Sequence, residues 1–260
     1  LVWVQGKGQG MREYARWSLK SANQWPTLSD ELTELTGSDV GYHRPGGFSV
    51  AVDETELAEY LGVLKQLRDE AGDEGYEYEL VQGRTLAEHL PGIGEHVPGA
   101  TYCPHDGHVN PLRLLRALQE GFDHNGGCYL PLSGIDRIQP LQSSGFELFS
   151  NGRRVAGCEK LVIAAGHGSV DLGAQVGINV PIHPEQGQII VTERSAQSLA
   201  YPTNLVRQTD EGGFMLGSSA RDVGFDADTN TGTLQEIVRR CAAAFPYLRK
   251  LRIQRSWAAL

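Results

Sequence analysis

Residues 161–193, LVIAAGHGSVDLGAQVGINVPIHPEQGQIIVTE, hold the pattern that decides the fold. Leu161, Val162 and Ile163 form an apolar run too short for a helix, so they read as a buried strand. Ala164, Ala165 and Gly166 remove side-chain bulk where that strand ends, and a short helix over 169–175 follows. In an open α/β sheet, ligands settle in the crevice at the carboxyl end of a strand, and a backbone without bulky side chains lets a flat ligand approach closely. Beyond Pro181 and Pro184 a second apolar strand opens, over 189–192.

Working outward, the hydrophobic period switches repeatedly between helix and strand. Tyr14, Trp17 and Trp25 lie near one face of a first helix, and Leu28, Leu32 and Leu35 continue a helical pattern that ends at Gly37. Leu57, Tyr60, Leu61, Leu64 and Leu67 make a second helix, and Leu112, Leu115 and Leu118 a third. Asn110 is suited to cap that third helix, with Pro111 at its first position. Gly126 and Gly127 end it, and 128–132 reads as a strand. Asn151-Gly152 signals a two-residue hairpin between strands at 146–150 and 153–156. Strands at 204–208 and 214–217 flank the turn residues 210–213, and Leu234, Ile237, Val238, Cys241 and Phe245 form one side of a last helix, closed by Pro246. The antiparallel segments 40–52 and 204–217 share strand chemistry. They are expected in one mixed sheet, away from the 161–163 strand.

At 260 residues and 40% hydrophobic the chain can bury a substantial core as one large or two modest domains. A net charge of −9 argues against nucleic acid or an anionic membrane as partner. The apolar runs are too short for a membrane span. Four cysteines without C-x-x-C spacing fit a reduced, cytoplasmic setting and inert buried thiols. Gly6-Lys7-Gly8-Gln9-Gly10 is one residue short of a dinucleotide fingerprint and lacks the acidic strand end about 20 positions on, so it reads as a flexible loop before a helix. The thiol, imidazoles and carboxylate of 103–108 sit on a Pro/Gly turn without a second ligand pair, which leaves no metal expected. Ser218, Ser219 and Asp226 lack a G-x-S-x-G elbow and do not read as a hydrolase triad.

Five segments carry a family resemblance. DGHVNPLRLL at 106–115 resembles a D-G-x-V-x-P-x-x-L helix entry, 161–166 a V-x-A-A-G strand end, and PEQGQ at 184–188 a P-x-x-G-Q strand start. YHRPGGFSVAV at 42–52 resembles the first hairpin of a substrate domain, and SWAAL at 256–260 the approach to a last flavin-facing turn. Taken along the chain, they resemble in their order the flavin-dependent D-amino-acid oxidase, glycine oxidase and sarcosine oxidase superfamily. The resemblance implies an α/β (mixed α+β) chain: a partial Rossmann-like FAD-binding domain (1–38, 101–185, 246–260) interleaved with a mixed, largely antiparallel substrate domain (39–100, 186–245).

The implied activity is FAD-dependent oxidation of the C–N bond of an amine or amino acid by hydride transfer to flavin, with a small-molecule substrate and a possible oligomer. Leu1 and Val2 would touch the flavin side, Ile135 would lie over the adenine end, and Ala164, Ala165 and Gly166 would border the adenosine. Tyr42, His43, Asn204, Arg207 and Met215 are the candidates for lining the substrate cavity. No catalytic acid or base is implied. The family's G-x-G-x-x-G unit is not in this sequence, nor is its substrate-gripping arginine beyond 260. The expectation is therefore an internal fragment of a flavoenzyme that does not turn over alone; the alternative is a non-catalytic binding module derived from one. Gly166→Leu should crowd the adenosine end and weaken FAD binding, and an unchanged affinity in a flavin titration would remove Gly166 from the site.

Overall fold

The computed structural model describes residues 1–72, 76–142 and 144–260. In chain order the elements are α1 (Arg12–Thr36), β1 (Gly47–Ala51), α2 (Glu54–Ala71), β2 (Glu79–Val81), α3 (Gly83–His89), β3 (Gly99–Cys103), α4 (Pro111–His124), β4 (Arg137–Pro140), β5 (Phe146–Ser150), β6 (Arg153–Cys158), α5 (Ser169–Ala174), β7 (Gly187–Arg194), β8 (Val206–Gln208), β9 (Gly213–Gly217), α6 (Thr231–Ala244) and β10 (Ile253–Ala259). They build three antiparallel sheets, ordered β1-β3-β2, β4-β5-β6 and β10-β7-β9-β8. This is the mixed, largely antiparallel α/β fold expected.

Local chemistry explains the boundaries. The Asn110 side chain accepts from the N–H groups of Leu112 and Arg113 and Pro111 opens α4, satisfying donors that a helix start leaves orphaned. Asp53 and Asn230 cap α2 and α6 in the same way. Asn151 (φ 50°) and Gly152 (φ 75°) make the β5–β6 turn, both in the left-handed region that a hairpin of this twist demands. Gly37 ends α1 in that conformation too.

Two apolar clusters hold the molecule. One joins Phe48, Val50 and Ala100 with Ile190, Phe214 and Leu216 and with Ile237, Cys241 and Phe245. The other packs Leu19, Leu32, Leu64 and Leu67 around Val2, Val4 and Cys103.

Several expectations are corrected. Residues 161–163 are not a buried strand: Val162 is 86% exposed, and no strand among the described residues pairs with them. A three-residue apolar run holds strand geometry only when neighbours take its backbone groups. Residues 128–132 likewise form no strand, and Tyr129, Leu130 and Leu132 are exposed. Residues 42–52 are not a hairpin, since β1 pairs with the distant β3 while His43 bridges His108. Nor do this segment and 204–217 share one sheet. β1 and β8–β9 belong to separate sheets, joined by the Phe48–Thr203 bridge, by Asn204 and by a common core. The apolar faces are also redistributed: α1 buries Ala15, Leu19, Ala22 and Leu32 while Tyr14 and Trp17 face out. On α4, small residues (Ala117, Gly121) meet α1, which leaves Leu112 and Leu115 exposed.

Asp106 ties the first segment to this frame. Its carboxylate, fully buried, accepts the Val4 N–H (2.6 Å) and the Gln5 amide (2.7 Å), and Gln5 also reaches the Gly47 carbonyl and receives the Thr101 hydroxyl. Beside it, Val2 and Gly107 exchange backbone hydrogen bonds. Burial raises the Asp106 carboxyl to about 7, against the opposing pull of its N–H donors. A folded-state acid pKa above the unfolded value means that the native chain holds the proton more tightly. The stabilising contribution is thus complete below about pH 4 and lost as pH rises through about 7. Urea unfolding at pH 4.5 and 7.5 should show the stability gap between the native sequence and Asp106→Asn shrinking at the higher pH by on the order of 3 kcal/mol; a pH-independent gap would contradict this.

Candidate functional site

β7 alternates in burial along its length. Gln188, Ile190 and Thr192 are buried, whereas Ile189 and Val191 are half-buried. Register carries that alternation across the sheet. Ile190, Leu216 and Val206 form a row on the sealed face, sharing a core with Ile237 and Cys241 of α6. On the opposite face Arg207, Met215, Val191 and Arg255 form one row across four strands, and Gly217, Ile189 and Trp257 a second. A cavity of about 540 Å³ opens here, lined among others by Asn110, Leu112, Arg207, Met215, Arg255 and Trp257. A neighbouring cavity of about 500 Å³ contains Tyr42, His43 and His108 and shares Thr209 and Asp210 with the first.

Arg207 stands between the two. Its Nη1 donates to His108 Nδ1 (3.1 Å) and, at 3.5 Å, to the Val109 carbonyl, while Nη2 meets the Met215 sulfur at 3.2 Å. Burial pulls its pKa down, and the Asp210 and Glu211 carboxylates pull it back up. Neither carboxylate pairs with it directly: Asp210 is 3.5 Å from His43 and 3.9 Å from Arg113, and Glu211 is 4.0 Å from Arg113. The guanidinium is therefore a half-buried cation with no ion-pair partner among the described residues. His108 is pushed down to about 4, by burial first and by Arg207 and His43 next, so it is neutral at ordinary pH. Its Nδ1 accepts from Arg207, which puts the proton on Nε2.

A third cavity, of about 450 Å³, lies between the end of β9 and α6, with Ser218, Asn230 and Arg240 in its wall. Of the two cations in its wall, Arg240 pairs with Glu56, which also accepts the Tyr60 hydroxyl, while Arg221 is held through its backbone against Gln186.

The fold thus places Arg207 and Met215 in one cavity and Tyr42 and His43 in its neighbour, and it uses Asn204 elsewhere. The Asn204 side chain accepts the Val50 N–H (2.9 Å) and donates to Tyr60 (3.0 Å), tying β8 to β1 and α2. The Leu1 residue as a whole is exposed although its amine lies within electrostatic reach of Arg207 and His108, and Val2 is held against Gly107 beside a separate cavity of about 300 Å³. Ala164, Ala165 and Gly166 form an open turn; Gly166 has φ 56° and a Cβ there would meet nothing within 4 Å. Ile135 precedes β4, and Gln175 at the end of α5 clamps that strand through the Asp136 carbonyl and the Ile138 N–H. Sequence reasoning misses His108, Arg255 and Trp257 as cavity residues. The signal for the last two is the period-two alternation of 253–259; for His108 no local pattern exists, since its partner is 99 positions away.

The chain belongs to the FAD dependent oxidoreductase family, whose model matches residues 2–260. It is 34% identical over 257 residues to an opine oxidase subunit of Agrobacterium tumefaciens (strain Ach5), an overlap of 99% of this chain and 69% of that protein. It is 28% identical to hydrogen cyanide synthase subunit HcnC of Pseudomonas protegens over 94% of this chain and 58% of that protein. The crystal structure of glycine oxidase from Geobacillus kaustophilus superposes with a TM-score of 0.82 at 25% identity, covering 93% of this chain and 65% of that one. The chain thus spans between about three fifths and 69% of these relatives. FAD is the cofactor of this family. The open 164–166 backbone and the uncovered sheet face fit a flat cofactor and its substrate, although no G-x-G-x-x-G turn for the pyrophosphate occurs in the sequence. No helix among the described residues is long and apolar enough to cross a membrane.

Proposed function

We propose that this chain supplies the substrate-recognising part of an FAD-dependent oxidoreductase that oxidises the C–N bond of a small amine or amino acid. This reading gives to Arg207 the carboxylate grip that the family resemblance assigns to a different arginine, and the observation that carries it is Arg207 itself, a half-buried guanidinium on a largely apolar sheet face with no carboxylate paired to it among the described residues. Holding a cation partly out of water without a counter-ion is costly, and an arriving carboxylate offsets that cost. With Nη1 engaged by His108 and Nη2 held only by the weakly accepting Met215 sulfur, the Nε and Nη2 edge is the one from which a carboxylate can take a two-point, charge-assisted grip. Met215, Val191 and Trp257 keep water from the carbon skeleton. FAD, when bound, supplies the acceptor for the hydride that leaves the carbon next to nitrogen. The chain's own residues then need to orient the carboxylate and keep the site dry, for which positioning suffices and no acid–base pair is required.

The likeness to the opine oxidase subunit and to glycine oxidase supports the same substrate class. On this reading 39–100 and 186–245 form the substrate domain, while Ile135 and the 164–166 turn border the adenosine. The protein in its natural length, loaded with FAD, should be assayed on glycine, sarcosine, D-alanine and an opine with an artificial electron acceptor. Arg207→Met should raise KM for the oxidised substrate about 100-fold, equivalent to about 2.7 kcal/mol, the scale expected for losing a charge-assisted pair. An unchanged KM would exclude Arg207 as the carboxylate anchor.

A further inference from the structure

We propose that His108 is the positioning residue that aims Arg207 at the open sheet face, by accepting a hydrogen bond from its Nη1 on Nδ1. This rests on the assignment of Arg207 to the substrate carboxylate and goes beyond it, because His108 reaches the substrate through Arg207.

Three observations support it. The contact is 3.1 Å long and joins residues 99 apart, so the tertiary fold creates it. His108 itself is held on every side: it is 8% exposed, its N–H and carbonyl are both bonded to the backbone of His43, and its ring lies 5.0 Å from the His43 ring. A side chain so fixed offers Arg207 an acceptor of defined direction. The charges around the pair point the same way. Burial, Arg207, His43 and the Leu1 amine all oppose a proton on Nδ1, and Asp210, which favours one, is occupied by His43 and Arg113. The imidazole therefore stays an acceptor.

A flexible arginine without this anchor has four side-chain torsions to order each time a carboxylate binds, and that cost falls on affinity rather than on the hydride step. The Val109 carbonyl, at 3.5 Å, and the Met215 sulfur are too weak as acceptors to replace it.

The test uses the FAD-loaded protein in its natural length. His108→Leu should raise KM about tenfold, the scale of one hydrogen bond to a charged group, with kcat within about twofold. His108→Asn, whose Oδ1 falls near the position of Nδ1, should recover most of that loss. His108→Gln, with its acceptor near the position of Nε2, should not. In an Arg207→Met background His108→Leu should change KM no further. Independently of turnover, an NMR titration with acetate that follows the Arg207 Nε–H should show weaker binding in His108→Leu than in His108→Asn. If Arg207→Met raises KM while all three His108 variants leave it unchanged, or if Asn and Gln behave alike, His108 has no positioning role. If Arg207→Met itself leaves KM unchanged, it is the assignment of Arg207 that fails.

Discussion

A β-sheet with helices on one side can seal only one of its faces, and here the strand that enforces the choice is β7. It pairs with both β9 and β10, so its alternation propagates in register across four strands. Ile190 and its row neighbours go under α6; Ile189 and Val191 stay with Trp257 and Met215 on the other side. A one-residue slip would exchange the two sets, burying Arg207 in the apolar core and exposing Leu216 and Val206. The cost of such a slip fixes the register, and the register defines the site.

The second requirement is that long-range contacts bring the right groups to the open face. Residues 42–43, 106–110 and 207–210 converge although about 165 positions of chain separate the first from the last. Asp106 and His108, two residues apart, do different work in that convergence. Asp106 turns inward and holds the Val4 N–H and the Gln5 side-chain amide through buried hydrogen bonds. His108 turns toward β8 and meets Arg207. The D-G-x-V-x-P segment is thus a junction: a buried carboxylate on one side, a neutral imidazole on the other, and then the cap of α4.

Much of this is legible in the sequence where the determinants are local. Asn110-Pro111 marks the start of α4, Asn151-Gly152 the hairpin, Pro246 the end of α6, and the apolar run at 189–192 the strand at the sheet's centre. Tyr42, His43, Arg207 and Met215 are legible as cavity candidates through the family resemblance; the fold divides them between two adjoining cavities, Arg207 and Met215 in one, Tyr42 and His43 in the other. Local pattern fails where pairing decides. Leu161, Val162 and Ile163 have strand composition and no strand partner among the described residues. Gly47–Ala51 has a hairpin-like preceding loop but pairs with β3, about fifty residues on. Asn204 has the character of a cavity polar group and is instead a tie between β1 and α2, which only the three-dimensional position of Tyr60 reveals. His108 escapes a sequence reading for the same reason.

The central claim is that the open face of the β7–β9 sheet, centred on Arg207, receives the substrate carboxylate. It is tested most directly by a crystal structure of the protein in its natural length with FAD and acetate bound. The account predicts acetate on the Arg207 guanidinium, over Met215 and Trp257, with the His108 contact retained. Acetate bound instead in the cavity between Ser218 and Arg240, with Arg207 left unliganded, would contradict it.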